Sequence, residues 1–187
     1  MGARNCHDAH RTRASTQLGV TCRRLILLGC AAALVGCGSP RTETKDTALY
    51  DTATVLDVID GDTVRLSIAE REETARLIGI DTPETKHPTK PVECFGPQAA
   101  AFLAGLLPAG TTVRVERDTE ARDSYRRLLL YVFVDTPRGE RFVNLEIVAR
   151  GYATPLSIEP NVRYQSHFVQ ASFDAERNGR GLWSSCR

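Results

Sequence analysis

The chain has no surplus of positive charge. It carries 24 Lys+Arg against 23 Asp+Glu, a formal net charge of +1. From Tyr50 onward the balance is 17 Lys+Arg against 20 Asp+Glu, a net of −3. Bulk charge is therefore excluded as a way of holding a polyanion, and any such binding has to come from a local cluster of arginines and a bound cation. There is no internal repeat and no low-complexity tract. No apolar run reaches the ~20 residues that a bilayer span needs. Cysteine is scarce where it would count. Of 6 cysteines, Cys6, Cys22, Cys30 and Cys37 fall in or before the first apolar run, which leaves only Cys94 and Cys186 beyond it. Neither has the neighbours of a metal-thiolate site.

What the N-terminus does contain is an address. Arg23 and Arg24 precede the apolar run Leu25 to Val35, which closes on Gly36-Cys37. A positive flank, about a dozen apolar residues and a small-residue end describe a secretory signal peptide. Leu34-Val35-Gly36-Cys37 also resembles the bacterial lipoprotein box, in which the cysteine is lipidated. The expected organisation is a signal and lipobox region over 1–37, a flexible tether over 38–49 and a folded domain over 50–187. Plain secretion is the alternative to a lipid anchor at Cys37. The segment before Gly19 is polar, Arg-rich and unpatterned, as a start site placed too early would be. Two remaining cysteines in an exported chain predict one disulfide, Cys94–Cys186. It would close a loop of about 90 residues and be worth up to ~4–5 kcal/mol on a chain-entropy account.

The domain reads as short strands followed by a helix, then strands and helices again. Ala53 to Ile59 is rich in β-branched residues, and Asp60-Gly61 is a hairpin-turn pair. Thr63 to Ile68 alternates, with Val64, Leu66 and Ile68 on one face. A third strand runs from Thr74 to Ile80. Pro97 to Leu107 is a helix with proline in its first turn. Thr111 to Glu116 and Leu128 to Val134 are further strands. Asn144 to Arg150 and Arg163 to Arg177 are helices, the last with Tyr164, Phe168, Ala171 and Ala175 at core spacing. The pattern predicts an α+β, mostly β fold: a five-stranded barrel of the OB type with three α-helices outside.

The charged residues then carry the chemistry. Asp62 shares strand parity with the apolar face, where a carboxylate is costly unless paired or bound to a cation. Asp81 opens Asp81-Thr82-Pro83-Glu84. Arg76 and Asp81 have opposite parity, so they converge only if the strand ends or bulges near Gly79. Oxygen ligands suit a hard cation, and guanidinium groups suit a phosphodiester. Arginine cannot act as a base at neutral pH, which leaves Glu84 to activate water.

Together these pieces resemble the staphylococcal nuclease (thermonuclease) family. The resemblance rests on Val58 to Val64, on Arg76-Leu77 through Asp81-Thr82-Pro83-Glu84-Thr85-Lys86-His87-Pro88, on Gly96-Pro97-Gln98-Ala99, on Asp123 to Leu128 and on Gly181-Leu182-Trp183-Ser184. It implies Ca²⁺ held by Asp62, Asp81 and the Thr82 backbone, with Arg76, Glu84 and, by register, Arg127 catalytic and Tyr125 near the terminal phosphate. Lys86 and Arg126 are expected to touch substrate as well, Arg126 being the alternative to Arg127 as the phosphate-gripping arginine. It implies hydrolysis of single-stranded or loosened DNA and RNA at the 5′-oxygen side, leaving 3′-phosphate ends, by a monomer. The chain departs from the family's pattern at Ser124 and Arg126, which replace a lysine and a glycine. It departs again at Leu156 and Ile158, which stand where two tyrosines flank the base pocket. A silent OB-type module that only binds nucleic acid, and a lipoprotein with a structural or adhesive role, are the competing readings.

Overall fold

The computed structural model describes residues 52–186, apart from 87, 88 and 90. The N-terminal signal, the tether and Cys37 lie outside the described residues.

β1 (Thr52–Asp60) and β2 (Thr63–Ile68) form an antiparallel hairpin. Val64, Leu66 and Ile68 are buried and Arg65 is exposed, as the alternation predicts. The turn is displaced from expectation. Asp60 pairs with Thr63, so the two-residue loop is Gly61-Asp62 rather than Asp60-Gly61. Two register shifts, between Val55 and Asp57 and between Val58 and Asp60, curl β1 enough for it to pair with β2 and with β5.

β3 (Arg71–Leu77) runs antiparallel to β2. It stops at Leu77, and β4 (Gly79–Asp81) belongs to a separate two-stranded sheet with β8 (Thr154–Leu156). The third strand expected over Thr74 to Ile80 is therefore two strands with a break at Ile78. Gly79 takes φ +82°, and a Cβ there would sit 2.2 Å from the Phe168 ring, so only glycine fits this corner. The freed backbone groups are all used. Ile78 N–H donates to Leu130 O at 3.0 Å, and Ile78 O accepts from Asn144 Nδ2 at 3.0 Å. Asn144 is fully buried; its Nδ2 also reaches Leu130 O, and its Oδ1 accepts from Val132 N–H.

α1 (Gly96–Leu106) starts with Pro97 in its first turn and buries Ala99 and Leu103. β5 (Thr112–Glu116) and β6 (Leu128–Thr136) follow, and the parallel pairing of β3 with β6 closes the barrel of β1, β2, β3, β5 and β6. β7 (Gly139–Phe142) is a short hairpin on β6. α2 (Val143–Ala149) and α3 (Gln165–Arg177) pack outside, and α4 (Leu182–Ser185) is a single turn near the C-terminus. Phe168 and Ala175 of α3 are buried. Tyr164 precedes that helix and packs edge-on to Tyr131 at 4.7 Å. The expected OB-type barrel with three helices is what the chain forms; the elements absent from the sequence reading are the short ones, β4, β7, β8 and α4.

Cys94 and Cys186 form the expected disulfide. Among the described residues no helix is long and apolar enough to cross a membrane.

Candidate active site

The break after β3 turns Arg76 and Asp81 toward one place. Arg76 pairs with Thr63 across the β2–β3 ladder and emerges beside the β1–β2 turn, where Asp62 stands. Its guanidinium is fixed at four points. Nη1 donates to Leu77 O at 2.9 Å and Ile80 O at 2.8 Å. Nη2 donates to Asp81 Oδ1 at 2.9 Å and lies 3.1 Å from Asp62 Oδ2. Asp62 is buried despite its place in the turn, and Thr82 holds it there. Thr82 donates from both N–H (3.1 Å) and Oγ1 (3.0 Å) to Asp62 Oδ2, while Thr63 Oγ1 donates to Oδ1.

Asp81 pairs with Thr154 of β8 and is exposed. Burial of its carboxyl group by the surrounding walls raises its pKa, as do the charges of Asp62, Glu93 and Glu84, and Arg76 opposes them. Glu84 sits on the loop that follows. Its Oε1 accepts from Lys86 N–H at 2.6 Å, and its own N–H donates to Glu93 Oε2 at 3.0 Å. Glu93 N–H donates in turn to Glu84 O at 2.9 Å. This loop is tied to the first hairpin by Asp60, which accepts from Gly61 N–H and from Thr85 Oγ1 at 2.7 Å. Asp60 is thus more than the cap of its own turn.

Asp60, Asp62, Asp81, Glu84 and Glu93 line one cleft of about 600 Å³ with Arg76, Lys86 and Arg127. Five carboxylates face three cations there. Asp60 and Glu93 were missed as site residues because nothing in their local sequence says that the loop folds back on β1. Arg127 comes from the turn before β6. Asp123 organises that turn: Oδ1 accepts the N–H groups of Tyr125 and Arg127, and Oδ2 accepts Arg127 Nε–H at 2.7 Å. The Arg127 guanidinium lies 5.4 Å from the ring of Tyr125, which is 80% exposed.

Arg127 also lines a second cavity of about 470 Å³ with Arg76, Tyr125, Leu156 and Ile158. Its aliphatic wall is held by Asn161, whose side chain exchanges hydrogen bonds with the Glu120 backbone. Arg126 lines neither space; it faces an open groove with Arg127 and Tyr125. The residues expected to act on one phosphate, Arg76, Glu84 and Arg127, are thus gathered with Asp62, Asp81, Thr82 and Lys86, and Tyr125 stands at the rim.

The donors available to a cation are carboxylate and carbonyl oxygens, a set that suits Ca²⁺ or another hard ion. Among the described residues no three carboxylate, imidazole or thiol side chains are gathered closely enough to hold an ion by themselves.

Comparison with known proteins identifies the family. The chain is 34% identical over 131 residues to the thermonuclease of Staphylococcus hyicus, covering 70% of this chain and 75% of that protein. It is 36% identical over 129 residues to the thermonuclease of Staphylococcus intermedius, covering 69% and 74%. It is 30% identical over 148 residues to Endonuclease YncB of Bacillus subtilis (strain 168), covering 79% and 67%. Residues 74–185 match the family described as Staphylococcal nuclease homologue. With the closed barrel, the split third strand and the arginine–carboxylate cleft, this match shows that the chain belongs to the staphylococcal nuclease family.

Proposed function

We propose that the chain is an exported, calcium-dependent nuclease that hydrolyses single-stranded or loosened DNA and RNA on the 5′-oxygen side and leaves 3′-phosphate ends. The observation that carries this reading is the convergence of Arg76, Arg127, Glu84, Asp62 and Asp81 on one cleft. Asp62, Asp81 and the Thr82 carbonyl would hold the cation, which when bound supplies positive charge beside the scissile phosphate. Arg76 and Arg127 grip phosphate oxygens and offset the charge that develops on them. Arg76 is pre-oriented by two backbone carbonyls, so little reorganisation is needed when substrate arrives. Glu84 takes the proton of the attacking water. Its loop is braced by Asp60 at one end and Glu93 at the other. The acidity of the cleft argues against a module that only binds nucleic acid, because such a site would repel phosphate without a cation.

The apolar run ending at Cys37 supports export with a lipid anchor, and the Cys94–Cys186 bridge suits an oxidising compartment. Replacing Cys37 by alanine should then move the protein from the membrane to the soluble fraction.

The test of activity uses the purified chain with single-stranded DNA and RNA, with Ca²⁺ or with chelator. Digestion should require calcium and be lost in Glu84→Gln and Arg76→Ala separately. The products should resist polymerase extension until their 3′-phosphates are removed. Binding without cleavage under every divalent cation would replace the nuclease reading with that of a silent module.

A further inference from the structure

Arg126 is an arginine in a conformation that favours glycine. Its φ is +66°, where the Cβ of an L-residue crowds the following carbonyl oxygen. The surroundings hold it there. Arg126 N–H donates to Asp123 O at 3.0 Å, its carbonyl accepts from Arg122 Nη1 at 2.7 Å, and Asp123 Oδ1 caps the residues on either side. None of these bonds uses the Arg126 side chain, so glycine would satisfy them all with less strain. Strain kept where a simpler residue would serve points to a use for the side chain.

The neighbouring arginines are engaged. Arg122 forms a two-pronged pair with Glu73, Arg127 pairs with Asp123, and Arg76 with Asp62 and Asp81. The Arg126 side chain is exposed and makes no ion pair or hydrogen bond among the described residues. It faces an open groove of about 620 Å³, shared with Thr74, Tyr125 and Arg127. Thr74 and Arg127 also line the catalytic cleft, so the groove adjoins it at these two residues. The acid of this groove, Glu73, is neutralised by Arg122.

We propose that Arg126 anchors a further subsite, which holds a backbone phosphate of the polynucleotide strand outside the catalytic cleft. This rests on the nuclease reading and adds to it a preference for polynucleotide over the shortest substrates. A guanidinium suits the task, since it stays charged and can grip two phosphate oxygens.

The test is binding, measured with Ca²⁺ in a Glu84→Gln background, so that the cleft keeps its cation and nothing turns over. The probes are a single-stranded oligothymidylate of about twelve nucleotides and a thymidine dinucleotide with one phosphodiester. Arg126→Gly should weaken the oligonucleotide about 5–10-fold at low salt and make its logarithmic salt slope shallower by about 0.7. Dinucleotide affinity should move by less than about twofold. The melting temperature of Arg126→Gly should not fall, so the loss is not one of folding. Arg126→Gln, which keeps the strained backbone and removes the charge, should show the same selective loss. Equal losses for both probes, or none for either, would overturn the subsite. If the selective loss is found but the wild-type chain fails to cleave with calcium, the nuclease reading falls and the subsite stands.

Discussion

Asp123 Oδ2 accepts the Nε–H of Arg127 at 2.7 Å, a bond that leaves both terminal nitrogens of that guanidinium for a ligand. The carboxylate thereby sets both the turn and the direction of the arginine fork. Removing it in Asp123→Ala should lower kcat/KM on single-stranded DNA by about 10–100-fold, since a small misplacement of a phosphate-gripping group is costly. Steady-state kinetics with calcium checks this. Arg127→Lys should lose as much, because it keeps the charge but not the fork.

Asn144 joins the strand break to β6 through three hydrogen bonds to buried backbone groups. In Asn144→Ala the Val132 N–H and Ile78 O lose this partner, while Leu130 O keeps the Ile78 N–H, and the expected destabilisation is about 2–4 kcal/mol. Urea unfolding at constant m-value measures it.

Gly79 cannot accept a side chain without displacing Phe168. Gly79→Ala combines that clash with a left-handed backbone, and should cost about 2–4 kcal/mol. Truncating the ring in the same protein should recover part of the loss, which distinguishes the clash from the backbone strain.

A cation that binds the native cleft stabilises it by mass action, by about 2.7 kcal/mol at a hundredfold excess over Kd. Calcium should therefore raise the melting temperature of the wild-type chain. Asp81→Asn should abolish that shift without unfolding the metal-free protein, because the substituted carboxyl group already resists ionisation through burial and its acidic neighbours. Scanning calorimetry with and without chelator reads both.

Acid stability depends on carboxylates outside the cleft. Hydrogen bonding from Arg122 holds Glu73 below its ordinary value of 4.5. Glu116 and Asp118 are also held low: burial would raise them, but Arg114 and Tyr164 on the first, and the Arg163 N–H and Tyr131 hydroxyl on the second, outweigh it. A carboxylate lowered in the native state binds protons more tightly when unfolded, so its contribution is present above the unfolded value and lost as pH falls through the folded one. The metal-free protein should lose stability progressively below about pH 4.5. Glu73→Gln should flatten the start of that decline in a pH series of denaturation midpoints.

The barrel was legible because Thr63 to Ile68 alternates, because Leu128 to Val134 is an unbroken apolar run, and because one proline-led helix lies between the strands. The need for a distortion near Gly79 was legible too, from the opposite parity of Arg76 and Asp81. What stabilises the distortion was not. Asn144 lies 66 residues from Ile78 in the chain, and nothing local marks its amide as a backbone partner. β4 and β8 are three residues each, shorter than any periodicity can report, and β8 contains proline. The Gly61-Asp62 turn differs by one residue from the expected pair because the bulges in β1 move the register. Asp60 and Glu93 entered the cleft through long-range contacts that composition cannot reveal. Cys94 and Cys186 needed only to be counted.

That bridge joins positions 92 residues apart, a span that runs from the residue after Glu93 to the end of the last helical turn. A protease can cut any single exposed loop within that span, such as the one carrying Arg126, and release no fragment. The two pieces would travel together on an unreduced gel and separate only once thiol is added. For a protein exposed to proteases, the ring turns a first cut from a loss of mass into a nick.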